Sequence, residues 1–578
     1  MLAVLHRMAP RIPLALLLAA CAAVSAGVHG QRTPPGREPA GRPRLCWGTY
    51  DTVISGGVVV TGDGTDAAPT DVAIAGDRIA CIGHVETPGA AEVISAAGLH
   101  VTPGFIDVHT HADGDIGTHP LAANFLAQGV TTVVGGNCGG HAFPLAQLFE
   151  KVSRQGAGVN VAALAGHNTI RRLVMGYQVS PVGSQLDEMK ALVEQEMLSG
   201  AIGLSTGLAY RPGPFATTEE VIALATVAAR YGGIYATHMR DEGSNVRDSV
   251  LEAIRIGETN GMRVQISHIK LITQDTWGRP YLIRDPVEAA IRRGVRVTTD
   301  QHPYTATSTS LLSMIPPWAW GDGFDDFLRV IDDADQRAEL VRLYSAYFPF
   351  AFDRFMVATC PSRRECEGLT LRGILDARHQ TATAESGAEL LIELQATGWA
   401  QGIFFVMRDE DVEALMPQPY NMIISDGSAV TPEDGGFPHP RNFGTFPRVL
   451  RRFVVERRLL TLEQAIHKMT ALPARTFGFE DRGVLRRGAY ADLVLFDLAT
   501  VRDTATYTDP YRAPIGIRHV IVNGRVAVRD GVVTGVRAGR VIRGPAAGRM
   551  PDRTSSGKEE SGTNQRAALL HRIYSENQ

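Results

Sequence analysis

Two histidines one residue apart, His109 and His111, end the short apolar run Gly-Phe-Ile-Asp-Val-His-Thr-His at 104–111. Side chains of an extended chain alternate between faces, so the pair points to one side of a strand end. Neutral imidazole is the commonest transition-metal ligand in proteins, which makes this pair the first half of a candidate metal site. Two solvated histidines would read the same way in isolation, so the rest of the chain has to supply the other ligands. It offers them after seven further apolar runs: Cys138, His167, Ser205, His238, His268, Asp300 with His302, and Asp426.

The runs that carry these groups end near Asp107, Val134, Leu164, Leu204, Ala236, Ile266, Thr299 and Ile424, with helical stretches between them. Short apolar runs alternating with helices read as parallel βα units. Eight such units close a (β/α)8 barrel, in which the carboxyl ends of the strands meet on one face and hold the catalytic groups. One polar group after one strand is usually a cap or a core histidine. Ligand-type residues after at least five of eight strands are hard to explain by capping.

The fold class expected is therefore α/β, a (β/α)8 TIM-type barrel over residues 103–480. The interval between Tyr304 and Asp426 is too long for a βα loop and is read as an insertion at about 311–415. Strand patterns punctuated by turns occupy 49–102, among them Val53–Val60, Val72–Ala75 and Arg78–Ile82. They return at 481–545 in Ala491–Phe496, Ile517–Val522 with the turn Asn523-Gly524, and Val526–Val533. The two segments are expected to form one small composite β-sandwich domain, followed by a polar tail at 546–578.

At 578 residues the chain suits a large catalytic domain with an accessory one. A net charge of −4, with 44% hydrophobic and 20% charged residues, shows no basic tract interleaved with aromatics and excludes a nucleic-acid partner. Residues 1–30 place Arg7 and Arg11 before an apolar run, the layout of a secretory signal peptide, and the run is short for a transmembrane span. Leu18-Ala19-Ala20-Cys21 resembles a bacterial lipobox, so a periplasmic or extracellular protein and a lipoprotein anchored through Cys21 are both expected readings. The Pro-, Gly- and Arg-rich stretch at 31–48 reads as a flexible linker. Cys46 and Cys81 lie together in the first β segment and Cys360 and Cys366 lie close in the insertion, so export makes two disulfides possible, with the pairing left open, and leaves Cys138 as the odd thiol, free to be a ligand.

On these segments the chain resembles the N-acyl-D-amino-acid deacylases (D-aminoacylases) of the amidohydrolase superfamily, from about Tyr50 to about Arg543. The motifs are Pro103–His111, Gly136-Asn137-Cys138-Gly139, Gly207–Gly213, Ala236-Thr237-His238-Met239-Arg240-Asp241-Glu242-Gly243, Gln265–Lys270, Ser425-Asp426-Gly427, His439-Pro440-Arg441, Gly444–Leu450 and Lys468-Met469-Thr470. The resemblance implies a tightly held zinc on Cys138, His238 and His268, and a second, weaker metal position on His109, His111 and Asp426. A thiolate with two imidazoles suits zinc and leaves a fourth position for water or substrate. It implies Asp426 as general base, and Lys270, Tyr210 and Arg441 as partners of the substrate carboxylate. His302 and Gly140-His141 depart from the family pattern, which leaves the preferred side chain open. His84, His119, His141 and His467 match no ligand position and read as ordinary polar residues.

The expectation is thus a zinc-dependent amidohydrolase that cleaves the linear amide of a small N-acylated D-amino acid, with membrane contact only through a lipid anchor. The first rival is a cyclic-amide hydrolase of the hydantoinase or dihydropyrimidinase type. It is disfavoured because Gly203-Leu204-Ser205-Thr206-Gly207 puts no lysine after the fourth strand. The second rival is a surface lipoprotein that captures a ligand without catalysis. Against it stand Asp426, Lys270 and Arg441 on the metal face.

Overall fold

The computed structural model describes residues 45–86, 90–348 and 350–550. The signal peptide with Cys21, most of the linker and the tail beyond 550 lie outside the described residues. Eight parallel strand segments run through the middle of the chain: β1 (Phe105–Asp107), β2 (Val130–Gly135), β3 (Asn160–Ala163, continued by Ala165–Gly166), β4 (Gly203–Gly207), β5 (Ile234–His238), β6 (Val264–Ile266), β7 (Val297–Gln301) and β8 (Asn421–Ile423). Each pairs in parallel with the next, β1 to β3 in one sheet and the continuation of β3 through β8 in another. Just past the strand ends, the last unit meets the first. Asp426 N–H donates to His109 O at 3.0 Å and His111 N–H donates to Gly427 O at 2.8 Å.

These strands are buried almost throughout, as parallel strands covered on both faces must be. Their residues alternate between two cores. Ile106, Leu164, Ile202, Ile234, Ala236, Met422 and Ile424 pack together in an inner cluster. Phe105, Leu204, Tyr235, Ile266 and Ile423 face the surrounding helices, meeting residues such as Leu192 and Met197 of Gln185–Ser199 and Val221 and Leu224 of Thr218–Arg230.

The composite β domain is a ten-stranded, hydrogen-bonded sheet built from both ends of the chain. Its seam is His100–Pro103, which pairs in parallel with Tyr50–Val59 and antiparallel with Leu493–Phe496. Cys46 and Cys81 form a disulfide within it. The second bridge that export would permit is not formed. Cys360 and Cys366 are free, buried thiols turned to different partners, Cys360 Sγ to Thr397 Oγ1 at 3.7 Å and Cys366 Sγ to the Arg378 guanidinium at 3.7 Å.

The insertion has its own core, including Phe327, Leu340, Tyr344 and Leu391, and its own antiparallel sheet of Thr307–Ser310, Gln401–Phe404 and Phe355–Thr359. It therefore starts slightly earlier and ends earlier than the 311–415 expected. The helix Asp409–Leu415 belongs to the barrel, because Val412 and Leu415 pack into the barrel's outer core. No helix among the described residues is long and apolar enough to cross a membrane.

Candidate metal and catalytic site

The carboxyl ends of the strands open into a cavity of about 490 Å3, lined by His111, Cys138, Tyr210, His238, His268, Lys270, Asp426 and Arg441 among others. The cysteine sits centrally. Its Sγ lies 3.3 Å from His109 Nε2, 3.4 Å from His268 Nε2 and 3.8 Å from His238 Nδ1. Zinc bonds of about 2.3 Å to sulfur and about 2.0–2.1 Å to nitrogen place tetrahedral S and N ligands roughly 3.6 Å apart. The donors fit that spacing, although the 2.9 Å between His238 Nδ1 and His268 Nε2 is tighter than two ligand nitrogens would keep.

Asp426 joins the second group. Its Oδ1 lies 3.1 Å from His111 Nε2 and 3.5 Å from His109 Nε2, and its Oδ2 forms an ion pair with Arg441 at 2.8 Å. His109 thus touches both groups, closer to Cys138 than His238 is. The two expected metal positions are contiguous rather than separate.

Electrostatics prepare these side chains as ligands. Burial pushes His109 well below the usual histidine range and His238 down to about 3, so both imidazoles are neutral and carry a lone pair. Burial pushes the Cys138 thiol up, so the thiolate needs a cation beside it. For Asp426 burial acts upward, but Arg441, then His111 and His109, outweigh it and hold the carboxyl well below the usual range.

Local backbone geometry explains why these residues can converge. Cys138, His268 and Asp426 all have left-handed φ, of 53°, 35° and 54°. For residues with a Cβ this is strained and persists only where the surroundings over-determine it. Around Cys138 they do. A Cβ on Gly136 would stand 2.1 Å from Leu164 O, and one on Gly139 would stand 2.0 Å from Asn168 Oδ1. Asn137 Nδ2 donates to Val134 O at 2.9 Å, and Asp113 accepts from Gly136 N–H at 2.8 Å and Ala142 N–H at 2.9 Å. The Ser205 hydroxyl donates to Gly136 O and accepts from Gly139 N–H.

Lys270 and Arg441 are almost fully buried. The Lys270 ammonium donates to Glu242 Oε1 at 2.6 Å and to His268 O at 2.8 Å. Tyr210 stacks at a tilt on His238, with ring centroids 4.4 Å apart. Other strand-end groups are not brought into the cavity. His167 pairs with Glu220 at 3.0 Å, Asp300 accepts from the His268 backbone N–H, and His302 is buried with neither ring nitrogen hydrogen-bonded. His141 accepts from Gly166 N–H at 2.9 Å and approaches Glu196 at 3.6 Å, a buried structural contact.

Sequence reasoning gave no role to Glu242. Its Oε1 lies 2.9 Å from His268 Nδ1 and its Oε2 lies 3.6 Å from His238 Nε2, so one carboxylate touches the outer nitrogens of both histidines that face Cys138. The available signal was an acid four residues after His238, inside a motif otherwise used. A larger hollow of about 880 Å3 in the insertion is lined by Arg337, Arg363, Arg378, Glu389 and Glu393. These side chains pair with one another, and the candidate metal groups all lie elsewhere among the described residues.

Comparison with known proteins agrees with this geometry. The amidohydrolase family model matches residues 92–528. The chain is 36% identical over 522 residues to a D-aminoacylase of Alcaligenes xylosoxydans xylosoxydans, covering 86% of this chain and 98% of that one. It is 36% identical to the N-acyl-D-aspartate deacylase and 35% identical to the N-acyl-D-glutamate deacylase of the same organism, with 85% and 86% of this chain and 95% and 97% of theirs covered. A crystal structure of N-acyl-D-glutamate deacylase from Bordetella bronchiseptica, complexed with zinc and a phosphonate mimic of the tetrahedral intermediate, superposes with a TM-score of 0.73 at 33% identity, covering 86% of this chain and 100% of that one. A D-aminoacylase described as having a binuclear metal centre superposes with a TM-score of 0.73 at 34% identity, covering 85% and 99%. The dihydropyrimidinase of Brevibacillus agri, at 16% identity and a TM-score of 0.52, shares the fold alone. The chain belongs to the amidohydrolase family, in the branch of the D-aminoacylases and N-acyl-D-amino-acid deacylases.

Proposed function

We propose that this protein hydrolyses the linear amide of N-acyl-D-amino acids to a carboxylate and a free D-amino acid, using zinc held chiefly by Cys138, His238 and His268. The observation that carries the reading is the meeting of Cys138, three imidazoles, an ionised Asp426 and the buried Lys270 and Arg441 at one cavity. When bound there, zinc supplies Lewis acidity, polarising a carbonyl oxygen and lowering the pKa of water. His109, His111 and Asp426 form the adjoining, weaker position.

Asp426 is the general base. It is ionised throughout the neutral range and accepts the proton of the water that adds to the amide carbon. It then delivers that proton to the departing nitrogen as the C–N bond breaks, so acid and amine leave with atoms and charge balanced. Arg441 orients the carboxylate through the 2.8 Å ion pair of its Nη1 with Asp426 Oδ2, and as a residue lining the cavity its guanidinium is the cation that the substrate's α-carboxylate would share. Lys270 and the Tyr210 hydroxyl complete that contact.

The D configuration follows the three named relatives and is the element to test first. Amine release from paired N-acetyl-D- and N-acetyl-L-amino acids, with zinc measured on the same sample, is expected to favour the D series at least 100-fold. Preference for the L series overturns the stereochemical assignment, and no amide hydrolysis by zinc-loaded protein overturns the catalytic one.

A further inference from the structure

The three deacylase relatives are named for different substrates, yet their identities to this chain, 36%, 36% and 35%, do not separate them. The charges around the cavity do. We propose that the pocket takes N-acyl amino acids whose side chain is uncharged and hydrogen-bonding, a hydroxyl or carboxamide, and rejects those that carry a second carboxylate. The inference rests on the deacylase reading and adds the class of side chain to it.

Any N-acyl amino acid brings one α-carboxylate, and an aspartyl or glutamyl substrate brings two. Among the described residues lining the cavity the lysines and arginines are Lys270 and Arg441, and each already faces a carboxylate, Glu242 at 2.6 Å and Asp426 at 2.8 Å. One further anion can share them. A second would meet no cation of its own, and burying a carboxylate without a partner is strongly unfavourable.

The wall contributed by the insertion is polar and neutral. Thr307, Ser308, Thr309, Thr359 and Gln401 line it, from all three strands of the insertion's sheet. The side chains of Thr307, Ser308, Thr359 and Gln401 make no hydrogen bond to other described residues, which leaves donors and acceptors for a ligand. Acidic residues adjoin this wall along the chain. Glu367 accepts from the Cys360 N–H at 2.8 Å, immediately after Thr359. Glu433 and Asp434 precede Phe437, whose N–H donates to Ala358 O at 2.7 Å.

Near-isosteric pairs isolate the charge. For zinc-loaded protein, kcat/KM for N-acetyl-D-asparagine over N-acetyl-D-aspartate, and for N-acetyl-D-glutamine over N-acetyl-D-glutamate, is expected to be at least 30-fold. Ser308→Lys, which places a cation in the wall, is expected to shrink both ratios at least tenfold. Ratios near one or below, or a better substrate in N-acetyl-D-leucine or N-acetyl-D-lysine than in N-acetyl-D-glutamine, overturn the proposal while leaving the deacylase reading in place. Titration calorimetry with the free amino acids reads the pocket without catalysis. D-Asparagine is expected to bind at least tenfold tighter than D-aspartate, and equal affinities overturn the proposal. Failure to hydrolyse any substrate strikes the deacylase reading instead.

Discussion

At the scale of single residues, the proposed mechanism divides the site into groups that hold metal, groups that move protons and groups that aim the others. In the proposed mechanism Asp426 works as a charged acceptor, so Asp426→Asn is expected to lower kcat by at least 10³-fold while the melting temperature and the zinc held through Cys138 stay close to wild type. Rate and metal content measured together check it, and retained turnover would refute the base assignment. Cys138 approaches three imidazoles at once, so Cys138→Ser should cost more bound zinc than the double change His109→Ala, His111→Ala. Competition with a chelator decides between them, and the reverse order would make the histidine pair the primary ligands. Glu242 touches the outer nitrogens of His238 and His268 without lining the cavity, which defines a positioning role. Glu242→Gln is expected to weaken zinc binding 10–100-fold, the usual effect of removing a carboxylate behind a ligating histidine.

At the scale of elements, the loop after the second strand has little freedom. Gly139 has φ of 74° and lies against both Asn168 and the Gly207 backbone. Gly139→Ala is therefore expected to displace Cys138, reducing zinc retention and kcat/KM at least tenfold while the melting temperature falls by only a few degrees. Equilibrium dialysis with thermal unfolding separates the two effects. At the other end of the barrel, Lys468 is buried on the helix Leu462–Met469 and donates to Asn421 O at 3.0 Å, and burial lowers its pKa to about 7. Between that value and the unfolded value near 10.5, the unfolded chain binds more protons than the folded one, so stability rises with pH. Wild type should gain on Lys468→Met by up to about 1.4 kcal/mol per pH unit from pH 7 towards pH 10. A flat difference in denaturant unfolding across that window would show that Lys468 titrates normally.

At the scale of the whole molecule, distant parts of the chain meet at one cavity. The barrel carries the proposed metal and proton-transfer groups, and the insertion supplies a wall whose residues stand 6 to 58 residues from the nearest barrel strand in sequence. The β domain ties both ends of the described chain together through His100–Pro103, with a disulfide closing a 35-residue separation inside it. Catalysis and side-chain choice thus reside in different parts of the fold. Changes in the Thr307–Ser310 wall are expected to alter which substrate is used more than how fast the best one turns over.

The strand count and the identity of the groups after each strand were legible in the sequence, because parallel strands buried on both faces write themselves as short apolar runs and the polar residue that ends each run stands out. His109, His111, Cys138, His238, His268 and Asp426 are of that kind. The composite β domain was legible for a related reason, since turn chemistry punctuates its strands. What only the tertiary structure decided is how groups distant in sequence share space. It brings His109 within 3.3 Å of Cys138, so the two metal positions adjoin. It places Glu242 behind two histidines from different strands, turns Cys360 and Cys366 to separate partners, and lays a neutral wall of threonines and serines over the site. Each depends on distances between residues far apart in the chain, which local patterns of hydrophobicity and turn residues do not encode.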